Sequence, residues 1–153
     1  MDQTSYYCIF KIDDQLYGVA VSRVEKIIRA AAVIPLPEGP ETIIGLLNVE
    51  GRVLPVVNIR KKWHLPERAM QVDDRIILFK AGALVSFIVN GVEGIVQFDH
   101  LKFHEAEEIH PGLQRYIEGV GRFNNSSVII VDMARFFNDQ EFSCMEKVAA
   151  DHE

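Results

Sequence analysis

The sequence predicts an all-β fold, mainly strand with a few short helices, and three observations carry that expectation. Short runs rich in Val, Ile, Phe and Tyr recur at close intervals, the composition that suits a pleated, packed surface. Between them stand pairs of Gly, Asp and Asn, which tolerate positive φ and close tight turns. Helical spacing of apolar residues is brief wherever it occurs. Many short strands with such turns imply a sandwich or a barrel.

From the N-terminus, strands are expected over residues 6–12 and 16–20, separated by Asp13-Asp14. Ser22 is then a candidate N-cap for a short helix bearing Val24, Ile27 and Ile28 on one face, with Glu25 in its first turn and Arg29 at its end. Pro35 and Pro37 flank Leu36, and their fixed φ predicts an extended segment at a sheet edge, where a missing N–H costs little. Runs 43–49 and 52–58 flank Glu50-Gly51, an acidic residue and a Gly that suit a two-residue hairpin turn. The basic-aromatic group Arg60, Lys61, Lys62 and Trp63 follows, and then a polar break over 65–74. Strands 75–80 and 84–90 are joined by Ala81-Gly82, and Asn90-Gly91 is the strongest turn signal before the run 94–98. Asn124-Asn125 joins the last two strands, 116–123 and 127–131. Asp132 is a candidate cap for a helix over 133–137 that buries Phe136 and Phe137. Phe142, Met145 and Val148 at helical spacing predict a partly helical tail over 139–153.

Composition bounds the function. With 153 residues, 48% hydrophobic and 25% charged, the chain suits one compact soluble unit with a real core. A formal net charge of −6 argues against a general nucleic-acid surface, since phosphate binding needs clustered excess Lys and Arg. Cys8 and Cys144 stand far apart and form neither a disulfide framework nor metal-ligand spacing, so a reducing, cytoplasmic compartment is expected. No signal peptide is readable, and no apolar segment approaches the roughly twenty residues a membrane span needs.

The search for reaction chemistry gives little. The chain has no G-x-S-x-G elbow, no Gly-rich phosphate loop and no H-E-x-x-H helix. His100 and His104 are four apart within a segment that also holds Asp99, Glu105, Glu107, Glu108 and His110, which is usable metal-ligand spacing. The ordinary reading of that segment is an acidic solvated connector ending at Pro111-Gly112, and a small-ligand or metal-binding β-barrel is kept as the alternative. Carboxylate pairs such as Asp13-Asp14 are adjacent rather than convergent and read as turn residues. Trp63 and Tyr17 are expected in core packing rather than at a ligand. No enzyme activity, metal or cofactor is expected.

The stretch from Gly45 to Arg60, G-L-L-N-V-E-G-R-V-L-P-V-V-N-I-R, resembles the signature of CheW-like domains, the adaptor modules of bacterial chemotaxis arrays. Phe10-Lys11-Ile12, Tyr17 to Val21 and then Val24, Ile27 and Ile28 look like the family's opening strand pair and helix. Ile88 to Ile95 resembles its second hairpin, and Tyr116 to Gly121 followed by Val128 to Asp132 its closing strands. The likeness covers residues 5–138 in the right order, with the tail 139–153 outside it.

What the resemblance implies is a single domain of two small five-stranded β-barrels sharing an apolar interior. It also implies a non-catalytic adaptor. Its partners would be the regulatory domain of a CheA-type histidine kinase and the cytoplasmic tips of chemoreceptors, with no cofactor. Carried over by position, the binding surface should involve Val24, Lys26, Ile27, Gly45, Leu46 and Glu50. Gly45 suits such a site, since a strand Gly often marks a bulge or a close backbone approach. Where the family usually places an acid on the first helix and an Arg before the hairpin Gly, this chain has Lys26 and Glu50, an inversion at both positions. If the two face each other they form an ion pair of reversed polarity. A divergent CheW-like protein that regulates a kinase in another pathway is the second reading this inversion leaves open.

Overall fold

A computed structural model describes residues 5–36, 40–98 and 116–132. Eleven strands are present among them: β1 Ser5–Ile12, β2 Gln15–Ala20, β3 Val24–Arg29, β4 Ile34–Pro35, β5 Ile43–Val49, β6 Arg52–Val57, β7 Arg75–Ala81, β8 Ala83–Val89, β9 Gly91–Phe98, β10 Ile117–Phe123 and β11 Ser126–Val131. One short helix, α1 Ile59–Lys62, follows β6. The strands form a five-stranded sheet of order β10-β11-β2-β1-β9 and a six-stranded sheet of order β3-β7-β8-β6-β5-β4. The all-β expectation holds, with the nine expected strands in place. The closed barrels do not: neither sheet is closed among the described residues, and the second has six strands.

Both sheets are apolar on two faces, which an alternating pattern would not give. Ile76, Ile77, Leu78 and Phe79 are all buried in β7, as are Val128, Ile129, Ile130 and Val131 in β11. One face of each sheet contributes to a common layer. Phe10, Tyr17, Val19, Ile129 and Val131 come from the five-stranded sheet, and Val57, Ile77, Phe79, Val85 and Phe87 from the six-stranded one. The opposite faces bury smaller cores, Tyr7, Ile9, Val128 and Ile130 in one sheet and Leu47, Leu54, Val56, Ile76 and Leu78 in the other. The shared interior implied by the resemblance is therefore present.

An aromatic row runs through the common layer. Trp63 lies 4.6 Å from Tyr17, Tyr17 is 5.7 Å from Phe10, and Phe10 is 5.4 Å from Phe87, centroid to centroid. Trp63 and Tyr17 are buried, which is the core packing expected of them. Burying each such ring or aliphatic side chain contributes roughly 1.5–3 kcal/mol, far more than exposed ion pairs do, so this layer holds the sheets together.

The polar links between the sheets gather at one corner. The Asn90-Gly91 pair, expected as a hairpin turn, is instead the point where the chain passes from the six-stranded sheet to the five-stranded one. β8 already has β7 and β6 as neighbours and β9 pairs with β1, so the two do not pair with each other. Asn90 works as a staple there: its N–H donates to the Lys11 carbonyl at 2.8 Å and its side-chain oxygen accepts from the Asp13 N–H. Arg60 on α1 clamps Asp13 through two hydrogen bonds, 2.8 and 3.1 Å, and donates to the Pro66 carbonyl at 3.0 Å. The buried Asp74 carboxylate accepts from Arg68 at 2.8 Å and from the Gln71 N–H at 2.7 Å, and so pins the polar stretch before β7.

The Arg60 guanidinium holds the Asp13 carboxyl below its ordinary range, chiefly by hydrogen bonding. A depressed carboxyl stabilises the fold above the unfolded value of about 3.9 and loses that effect as pH falls through the folded value. Urea midpoints measured across pH should therefore show the native chain above Asp13→Asn near neutrality. The gap should shrink below about pH 4. A gap independent of pH would mean that the clamp does not act through charge.

Candidate functional site

The segment after β2 was expected to be a helix and is a strand. A 3₁₀ turn over Val21–Arg23 leads straight into β3, and no side chain caps it. Two causes are visible. Val24, Ile27 and Ile28 are β-branched, and β7 offers them an antiparallel ladder. The helical spacing that misled the expectation comes from a bulge. Val24 stands opposite Phe79 and Lys26 opposite Leu78, so Glu25 is an extra residue, and the alternation of faces is reset after it. As a result Val24 and Ile27 share the face of Phe79 and Ile77, while Lys26 and Ile28 share that of Leu78 and Ile76. Val24 packs partly against the common layer, and Ile27 remains 38% exposed.

The β5–β6 hairpin turns at Glu50-Gly51 as expected, with φ of 52° and 88°. Asn48 supports the turn by accepting from the Gly51 N–H at 3.1 Å. This tip reaches β3. Lys26 Nζ donates to Glu50 Oε1 at 2.9 Å, the pair anticipated from the sequence. Arg52 is paired with Glu25 beside it, one guanidinium nitrogen 3.3 Å from Oε1 and the other on Oε2. The hydrogen bond from Lys26 lowers the Glu50 carboxyl below its ordinary range, and that from Arg52 does the same for Glu25.

These contacts fix the shape of the sheet. β7 and β8 lie between β3 and β6 in strand order. At about 4.8 Å per strand, a flat sheet would hold β3 and β6 about 14 Å apart. Direct ion pairs between them require the sheet to roll around its own core.

Gly45 and Leu46 lie on β5, toward the opposite edge. Gly45 stands opposite Pro35 of β4, at a register shift between Ile43 and Gly45. A Cβ there would come within 2.2 Å of the Ile34 carbonyl oxygen, so the close approach expected of this glycine is real. Leu46 faces Ile34 and Pro55 and is buried. Pro35 occupies an edge strand as expected, whereas Pro37 lies outside the described residues. Of the six candidates, then, the structure joins Lys26 to Glu50 and places Val24 and Ile27 near Lys26 along β3 but on the other face of the strand. Gly45 and Leu46 sit four strands away in sheet order.

The remaining chemistry is structural. In the basic run, Arg60 is committed to Asp13 and Lys61 contacts Glu41 at 3.0 Å. The short helix that carries them was missed. Its signal was Asn58, whose side chain caps it by accepting from the Lys61 N–H at 3.1 Å. Burial pushes the Cys8 thiol up to about 11, the opposite of an activated nucleophile. Among the described residues no group of three His, Cys, Asp or Glu side chains can hold a metal, and no helix is long and apolar enough to cross a membrane. The segment from Asp99 to His110, Cys144, the helix expected after Asp132 and the tail lie outside the described residues.

A sequence model of the CheW-like domain matches residues 7–141. The chain belongs to the CheW-like domain family. It is 23% identical over 146 residues to the chemotaxis protein CheW of Treponema pallidum, covering 92% of this chain and 86% of that one. It is 28% identical over 87 residues to the protein FrzA of Myxococcus xanthus, covering 57% and 54%. The crystal structure of the scaffolding protein CheW from Thermoanaerobacter tengcongensis has the same fold, with a TM-score of 0.78 at 22% identity over 91% of this chain and 97% of that one. The family is one of non-catalytic chemotaxis adaptors, and this chain is such an adaptor, a reading favoured over a regulator of a kinase in another pathway and over a ligand- or metal-binding barrel.

Gly45→Ala tests the packing of this region. The new methyl group meets backbone rather than a side chain that can swing away, so β4 or β5 must shift at a cost of roughly 1–3 kcal/mol. A lower urea midpoint at unchanged m is expected, and an unchanged midpoint would show that β4 accommodates the methyl freely.

Proposed function

We propose that the protein works in the cytoplasm, coupling the cytoplasmic tips of chemoreceptors to the regulatory domain of a CheA-type histidine kinase. Its contact surface on this reading is built on β3 and the β5–β6 hairpin, with Val24, Lys26, Ile27 and Glu50, while Gly45 and Leu46, buried on β5, act through the packing of that strand. The observation that carries it is the Lys26–Glu50 pair. It ties together the two segments to which the family resemblance assigns partner contacts, and the next residue of β3, Ile27, offers an exposed aliphatic side chain on the other face of the strand. An apolar anchor ringed by charge is how such surfaces bind, and no bond-making group is needed.

The direct test is a pull-down with the kinase regulatory domains and receptor tips of the same organism. Ile27→Asp is the sharpest single variant, because Val24 also supports the core. An anchor in a desolvated contact is worth ~2 kcal/mol or more, so Ile27→Asp should weaken binding about tenfold or worse while circular dichroism stays native. Unchanged affinity would remove β3 from the surface.

The inverted polarity at Lys26 and Glu50 supports a dedicated chemotaxis partner. Like charges on a mismatched partner repel it and slow encounter. The double variant Lys26→Glu with Glu50→Arg keeps the ion pair and should improve binding to partners of ordinary CheW proteins. Equal affinity of the two forms for such partners would eliminate this specificity claim.

A further inference from the structure

The two rolled sheets close their seams with different chemistry. In the five-stranded sheet the edges are β9 and β10, and the Phe98 ring lies over Gly121 so tightly that a Cβ there would come within 2.7 Å of it. That contact is apolar and offers no charge for salt to screen. In the six-stranded sheet β3 meets the hairpin through Lys26–Glu50 and Glu25–Arg52, four charged groups at or near the surface.

β3 is also a weakly held strand. It is an edge, its ladder to β7 is interrupted at Glu25, and none of its six residues is fully buried. Both of its ends are fastened. Arg23 donates to the Lys80 carbonyl at 3.3 Å just before it, and the Ala30 N–H donates to the Asp74 carbonyl at 3.2 Å just after it.

We propose that the double ion pair is a salt-responsive latch on β3. Formed, it holds the edge strand against the hairpin tip and keeps the roll shut. Broken, it releases Val24–Arg29 to open locally between the two fastened ends, while the common layer stays packed. The bulge is what makes this possible, because the extra residue interrupts the alternation of faces at Glu25 and Lys26, so that two adjacent side chains of one strand grip two residues of the hairpin. Exposed pairs are screened by salt, whereas the buried contacts of β7 and β8 are not. The latch does not rest on the partner assignment above, although Lys26 and Glu50 also belong to that surface.

Amide hydrogen exchange on the full-length chain tests it, comparing β3 with the central strand β8. Between about 0.05 M and about 0.5 M NaCl, β3 amides should exchange about threefold faster or more while β8 amides hold their rate. Glu50→Gln at low salt should reproduce that acceleration, and Lys26→Glu with Glu50→Arg should restore protection. The salt comparison needs no variant, so it stands whatever a substitution does to folding. Exchange in β3 that ignores salt, or equal acceleration of β3 and β8, would overturn the latch. So would a Glu50→Gln chain as protected as the native one.

Discussion

Everything in this fold follows from sheets that are apolar on both faces. An ordinary antiparallel sheet packs one face and wets the other, and its strands alternate accordingly. Here β7 and β11 bury four consecutive residues each, so each sheet must cover two faces at once. The solution is to share one face with the other sheet and to roll around the other. The common layer with its aromatic row answers the first requirement, and the two smaller cores answer the second. Rolling brings distant strands together at a seam, and at the seams side chains rather than ladders make the contact. The Lys26–Glu50 pair is thus a consequence of how the core is covered, although both residues are on the surface.

Most strands were legible because their signal is local. The runs that became β5 and β6, with Glu50-Gly51 between them, needed only composition and the turn dipeptide. β3 was misread as a helix because a bulge at Glu25 imitates helical spacing: inserting one residue puts Val24 and Ile27 on one face, three apart, as a helix would. Asn90-Gly91 was misread for the converse reason. The dipeptide suits a hairpin, yet whether its flanking strands pair depends on which edges are already taken, and that is decided by residues far away. β4, at two residues, is too short to leave a pattern.

The candidate surface was legible in part. Gly45 stood out because an isolated strand glycine signals a close approach, and the Ile34 carbonyl is what approaches. The pairing of Lys26 with Glu50 was suggested by two inversions of sign against the family pattern, since nothing in their spacing alone brings residues 24 apart together. The neighbouring Glu25–Arg52 pair and the Arg60–Asp13 clamp had no such cue. Both depend on how sheets roll and pack, and adjacency in the chain gave no warning of either.

On the proposed reading the contact surface carries charges that already neutralise each other, and that gives it a particular character. Because Lys26 and Glu50 are partnered within the molecule, an incoming acid or base gains only part of the attraction that a lone charge would offer, and must compete with the partner in place. The order of signs is a different matter. A docking face that presents the same sequence of signs meets repulsion at each position, and no internal pairing removes it at close range. On the proposed reading, affinity therefore comes from aliphatic contact around Ile27, while the charged quartet acts mainly by exclusion. This division lets polarity invert without loss of the fold: the ion pair survives a swap of its ends, the core does not see it, and only the set of tolerated partners changes.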